Sequence, residues 1–169
     1  RSVNLTALPD RLIRIWRRWC GSPRTAGGTS GMIETTNSMP FEAACAAVLA
    51  ETGATLIHPF DDARVIAGQG TAALELVEAR PELDIVIAPV GGGGLLSGTA
   101  IAARSLRPRI RVYGAEPAYA DDAARSFRSG RVEPVSGTMT IADGLRTTLS
   151  PRTLAAIRAI DREKGNAGK

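Results

Sequence analysis

The chain has 169 residues, 44% of them hydrophobic and 22% charged, which is the composition of one globular domain large enough for a real core. Its net charge is +4, yet within residues 1–24 Arg1, Arg11, Arg14, Arg17, Arg18 and Arg24 face only Asp10, so the remainder is close to neutral and offers no nucleic-acid surface. Cys20 and Cys45 lack the spacing of a disulfide framework or zinc site, no apolar run reaches the roughly 18 residues of a membrane span, and arginines interrupt Leu12, Ile13 and Ile15. With no membrane segment and no secretory signal expected, a cytoplasmic protein is the default.

Residues 1–40 show no steady apolar period. An arginine and tryptophan burst over Arg11–Cys20 is followed by a Gly, Ser, Thr and Pro rich stretch over Gly21–Gly31, so this segment is expected to be a poorly ordered leader outside the domain. From Phe41 to Ile160 helical and strand patterns alternate, and 161–169 is a short polar tail. Glu42–Thr52 predicts a helix closed by Gly53 at C′. Ala54–Ile57 predicts a short strand. Asp61 and Asp62 are capping residues for a helix that runs through Ala72–Ala79. Gly68 and Gly70 inside that helix each cost about 1 kcal/mol relative to alanine, which implies close packing against another backbone.

Asp84–Val90 is a continuous apolar run of strand length, the pattern of a strand buried on both faces. Gly91–Gly94 follow it, then a helix over Leu95–Leu106, a strand over Arg109–Ala115, and a helix over Asp121–Ser129 closed by Gly130. A final helix over Pro151–Ile160 has Ser150 as its cap. This alternation predicts an α/β fold with a mostly parallel sheet.

The junction of strand, four glycines and helix is the strongest chemical signal. Residues without Cβ bring successive N–H groups close to a ligand, and the helix that follows adds its free N–H groups and partial positive charge, so the junction suits an anion. A nucleoside-triphosphate loop would need a lysine after Gly98, where Thr99 stands. A dinucleotide loop would use Glu116 as its ribose acid, but its glycine spacing fails: Gly91 and Gly93 lead to Leu96, and Gly92 and Gly94 to Ser97. That NAD-binding reading stays as an alternative. His58, the one histidine, precedes Pro59 and is read as a turn residue rather than a catalytic base.

Five strings in order, His58–Asp62, Val65–Thr71, Pro89–Leu95, Glu116–Asp122 and Thr140–Leu145, resemble the pyridoxal-phosphate-dependent serine/threonine dehydratases and serine racemases. The resemblance covers about Phe41 to Ile160 and implies part of a fold-type-II enzyme, an α/β domain of three layers. It implies that Gly91, Gly92, Gly93, Gly94 and Leu95 bind the phosphate of pyridoxal 5'-phosphate through main-chain N–H groups. Gly144 corresponds to a glycine lying against the pyridine ring. Glu116, the main chain of Ala120, and Asp122 correspond to a divalent-cation site suited to Mg²⁺ or Mn²⁺; from the residues alone, Asp121 and Asp122 are also ordinary acids at a helix N-terminus.

The same resemblance implies β-elimination of water from L-serine or L-threonine to a 2-oxo acid and ammonia, with racemisation as a variant, on a small amino-acid substrate. A homo-oligomer is left open. That chemistry requires a lysine to hold the cofactor's aldehyde and move the α-proton. The only lysines here are Lys164 and Lys169, in the wrong context for the role, and no Ser-Phe-Lys-type or Ser-Gly-Asn-His-type motif occurs. The expectation is therefore a dehydratase fragment that binds cofactor and is inactive alone, the alternative from another class being a non-catalytic phosphate-ligand module.

Overall fold

The computed structural model describes residues 41–136 and 140–166, and the expected leader at 1–40 lies outside them. In chain order the elements are α1 (Phe41–Thr52), α2 (Ala63–Ala79), β1 (Ile85–Pro89), α3 (Gly94–Leu106), β2 (Arg111–Ala115), α4 (Asp122–Ser129), a single 3₁₀ turn (Asp143–Leu145) and α5 (Pro151–Asn166). The strands β1 and β2 pair in parallel, with Ile85 opposite Arg111 and Ala88 opposite Gly114. A parallel pair requires a crossover, and α3 supplies it.

Local chemistry accounts for the element ends. Asp62 caps α2 by accepting the Arg64 N–H at 2.7 Å, as its position predicts. Gly53 and Gly130 close α1 and α4 in the left-handed conformation that side chains disfavour, with φ of 63° and 79°. The last helix continues past Ile160 to Asn166, into what reads as polar tail.

Two apolar clusters hold the layers together. Val86 of β1 packs with Ala73 and Val77 of α2, Ala102 and Ala103 of α3, and Ile110. Ala88, Val90 and Leu96 pack with Ala123 of α4 and with Leu149 and Leu154 at the head of α5. Both clusters lie on the face of the sheet that Val86 and Ala88 present. The opposite face carries Ile87, 66% exposed, and its cross-strand neighbour Tyr113, 49% exposed. The β1 run, expected to be buried on both faces, thus alternates exposed and buried. The fold is α/β with a parallel sheet, and the described residues supply two of the three expected layers. The strand expected over Ala54–Ile57 does not form among them; Leu56 and Ile57 are exposed there, and without a partner ladder an extended segment is no strand.

The α2–α3 crossing shows what the internal glycines do. A Cβ on Gly70 would stand 2.9 Å from the Gly98 carbonyl oxygen, and one on Gly98 would stand 2.6 Å from the Gly70 nitrogen and collide with the Ile66 carbonyl. These two glycines let the backbones touch. Gly68 meets nothing, so the close-packing expectation holds for Gly70 alone. Gly98→Ala is therefore expected to destabilise the chain by about 1–3 kcal/mol through overpacking. Gly68→Ala, at an open helical position, stabilises it by up to about 1 kcal/mol. Urea denaturation of both variants checks the opposite signs.

Candidate cofactor site

The glycine loop joins the end of β1 to the start of α3. Gly93 is the N-cap of α3, with φ 85° and ψ 0°, and no side chain caps the helix. The N–H groups of the first turn have no intrahelical acceptors, so α3 presents donors and the positive end of its dipole at the loop. The loop is also fixed from two sides. A Cβ on Gly92 would fall within the Phe60 ring, and one on Gly94 would stand 2.9 Å from Phe60 Cβ. On Gly93 it would meet Leu149 Cδ2 at 2.5 Å and Thr153 Oγ1 at 2.9 Å. Gly92, Gly93 and Gly94 are buried, and Gly91 and Leu95 half-buried.

Far along the chain, the segment around the 3₁₀ turn comes to the same place. A Cβ on Gly91 would lie 2.8 Å from the Gly144 carbonyl oxygen, whereas the space around the Gly144 Cα itself is open. The two glycine segments singled out by sequence are therefore neighbours, and the open side of Gly144 is where a flat ring can approach backbone. The residues present suit a phosphate: main-chain donors at a helix N-terminus on a loop that has no side chains of its own from Gly91 to Gly94. A lysine for the aldehyde is a different matter. Lys164 lies on α5, eleven residues or roughly 16 Å of helix from Thr153, which touches the loop.

The head of α5 is a contact that spacing alone did not disclose. Ser150 Oγ accepts the Thr153 N–H at 3.1 Å, while Thr153 Oγ1 accepts the Ser150 N–H at 3.0 Å, a reciprocal cap with Thr in the place usual for Glu or Gln. Ser150 Oγ also donates to Asp61 Oδ1 at 3.0 Å, and Arg152 Nε donates to the same oxygen at 3.1 Å. Asp61, expected to cap α2 beside Asp62, thus ties the start of α2 to α5. Ser150 was expected as a cap from the sequence; Thr153 as its reciprocal partner, and the contacts of this turn with Asp61 and Gly92, were not.

His58 serves the turn. Its Nδ1 accepts the Asp61 N–H at 2.9 Å, and its ring meets Phe60 edge-on at 4.5 Å. With Nδ1 accepting, the neutral ring carries its proton on Nε2.

Glu116, Ala120 and Asp122 gather at the N-terminus of α4. Glu116 accepts the Ala124 N–H at 2.7 Å and the Ala123 N–H at 3.0 Å, so it caps the helix from outside the motif. Both Glu116 oxygens face α4. Asp121, whose side chain makes no cap, pairs with Arg125 Nε at 2.8 Å. Asp122 is 2% exposed, and its Oδ2 has no hydrogen-bond partner. Burial pushes both carboxyl groups above the usual carboxylate range; N–H groups of Ala124 and Ala123 oppose this at Glu116, and the negative charges of Asp122 and Asp121 add to it. A hard cation would relieve the orphaned Oδ2, and each Glu116 oxygen retains a lone pair. The described residues contain no group of three or more His, Cys, Asp and Glu side chains suited to a metal, so such an ion would depend on two carboxylates, main chain and water. A cavity of about 340 Å³ lies behind the loop, against Val90, Leu96, Ala123 and Ile157, and Glu116 borders it.

Serine racemase from Arabidopsis thaliana is 52% identical over 111 residues, which are 66% of this chain and 34% of that protein. L-threonine ammonia-lyase from Thermotoga maritima is 46% identical over 95 residues, 56% of this chain and 24% of that protein. The structure of maize serine racemase superposes with a TM-score of 0.68 and 47% identity, covering 70% of this chain and 37% of that one. The chain spans about a third of the length of the curated serine racemase it matches. The family described as "Pyridoxal-phosphate dependent enzyme" matches residues 28–167, and the chain belongs to that family.

Proposed function

We propose that the chain is part of a serine/threonine dehydratase-type lyase and holds pyridoxal 5'-phosphate by its phosphate at Gly91–Leu95. The observation that carries this reading is the meeting of Gly91 with Gly144 beside the uncapped N-terminus of α3. The main-chain N–H groups of the loop hold the phosphate, and Gly144 leaves room for the ring. When bound, the cofactor's conjugated ring stores the charge left by removal of the substrate's α-proton. Serine racemisation is the second reading, supported by 52% identity to the Arabidopsis thaliana serine racemase; it starts from the same proton removal. Cytoplasmic location and amino-acid substrates of the L-serine/L-threonine class belong to the same proposal.

With lysines only at 164 and 169, the chain has no amine at the loop to hold the aldehyde or return the proton. The purified 169-residue chain, given cofactor and Mg²⁺, is expected to form no 2-oxo acid from L-serine or L-threonine. Borohydride is expected to fix no cofactor to it. Sustained turnover above a control with Gly92 and Gly93 replaced by bulky residues would show the lysine assignment to be wrong.

The metal belongs to the proposal too, with Glu116, the Ala120 carbonyl and Asp122 as its ligands. Mg²⁺ or Mn²⁺ is expected to raise Tm saturably, because an ion that binds only the folded state stabilises it by mass action. Glu116→Gln weakens that rise and Asp122→Asn abolishes it. Without metal, the raised carboxyl pKa of Asp122 means that the folded state binds more protons than the unfolded state. Stability is then lost as pH rises from the unfolded carboxylate value, about 4, through the raised one. Asp122→Asn is accordingly expected to raise the Tm of the metal-free chain at pH 7, with the gain shrinking towards pH 4. Thermal melts across pH, with and without Mg²⁺, check both signs; an unchanged Mg²⁺ response in Asp122→Asn would reject the site.

A further inference from the structure

We infer that Thr153 is a positioning residue for the phosphate loop, its hydroxyl orienting the Gly92–Gly93 peptide so that the Gly93 N–H faces away from α5 and is free for the anion. This rests on reading Gly91–Leu95 as the phosphate site. Thr153 is fully buried, and its Oγ1 lies 2.9 Å from the Gly92 carbonyl oxygen, across 61 residues of sequence. The hydroxyl also lies 3.1 Å from the Ser150 carbonyl, which accepts the Leu154 N–H at 3.0 Å, and 3.2 Å from Ser150 Oγ, which donates to Asp61. Gly92 is the nearest of these acceptors, and the single hydroxyl proton is assigned to it. None of the described peptide bonds is cis. In a planar trans peptide the C=O and N–H point in opposite directions, so holding the Gly92 carbonyl against α5 turns the Gly93 N–H away from it.

The constraint is needed because glycine places the least intrinsic restriction on its own backbone angles. Consecutive glycines can flip a peptide plane at little steric cost, and a flip here would aim a carbonyl oxygen at the anion instead of a donor. Leu149 and the Thr153 side chain fill the space beside Gly93, which excludes a Cβ but leaves peptide orientation to the hydrogen bond. Thr153 and Ser150 also cap each other, and Ser150 is held by Asp61 at the start of α2, contacts that seat the head of α5 and do not touch the Gly92 carbonyl.

A helix cap alone would predict a different outcome, and binding separates the two roles. The probes are pyridoxal 5'-phosphate and pyridoxal, which differ by the phosphate, with Kd measured by calorimetry on the full chain and inorganic phosphate as competitor. Thr153→Val keeps the shape and removes the donor, and is expected to lower the preference for the phosphorylated probe about tenfold, the effect of misdirecting one hydrogen bond to a charged group. Thr153→Ser restores it. Ser150→Ala damages the cap and the Asp61 tie, so it lowers Tm without changing the preference. Should Thr153→Val not fold, Thr153→Cys carries the same comparison with a weak donor. Wild type without any preference would overturn the phosphate-loop reading itself. Wild type with a preference that Thr153→Val retains, or that Ser150→Ala loses equally, would overturn the positioning role alone.

Discussion

Close approach of backbone to backbone is the constraint on which the structure depends. It operates at two places on α3. At its middle, Gly98 lies against Gly70 so that α2 and α3 cross without side chains between them. At its N-terminus, Gly91–Gly94 let Phe60, the Gly144 segment and the head of α5 converge on one turn of chain. Side chains at these positions would separate the elements. The helix thus does two jobs with one residue type: it seats itself by one pair of glycines and presents its dipole through the others.

Convergence of that kind leaves a flexible loop in need of orientation, and the structure supplies it from α5. Polar groups buried in a small domain are costly unless each has a partner. Ser97, Ser150 and Thr153 are buried and all find partners within this cluster. The exception among the described residues is Asp122 Oδ2. A satisfied network at the loop and an orphaned carboxylate oxygen at α4 are different physical situations. The first fixes a geometry, whereas the second leaves an acceptor for which a cation or a proton is the remedy.

Much of this was legible in the sequence because it is local. Asp62 before α2, Gly53 and Gly130 after their helices, and the apolar runs of β1 and β2 lie within a few residues of the structure they determine. The glycine loop was legible for the same reason, since strand, loop and helix are contiguous. What spacing could not disclose is long-range partnership. Asp61 looks like a second helix cap and instead bonds Ser150; Glu116 looks like the acid ending a strand and instead caps α4. The short apolar segment Ala54–Ile57 has strand composition, but strand identity needs a neighbour, and none pairs with it among the described residues. Likewise, Asp84–Val90 is apolar enough for two covered faces, and the described residues cover one.

The same division between local and distant separates the two parts of the proposed function, binding and turnover. Phosphate recognition as proposed would use main-chain donors that lie side by side between β1 and α3, so a segment carrying Gly91–Leu95 carries the whole set. The partners that orient the loop, Phe60 and Thr153, also lie within the matched region. Covalent capture and proton transfer need one amine at one point, and no run of backbone substitutes for it. In the proposed reading, a chain spanning a third of a curated relative carries the main-chain donors for recognition, while the reaction depends on a side chain that this sequence does not place at the loop.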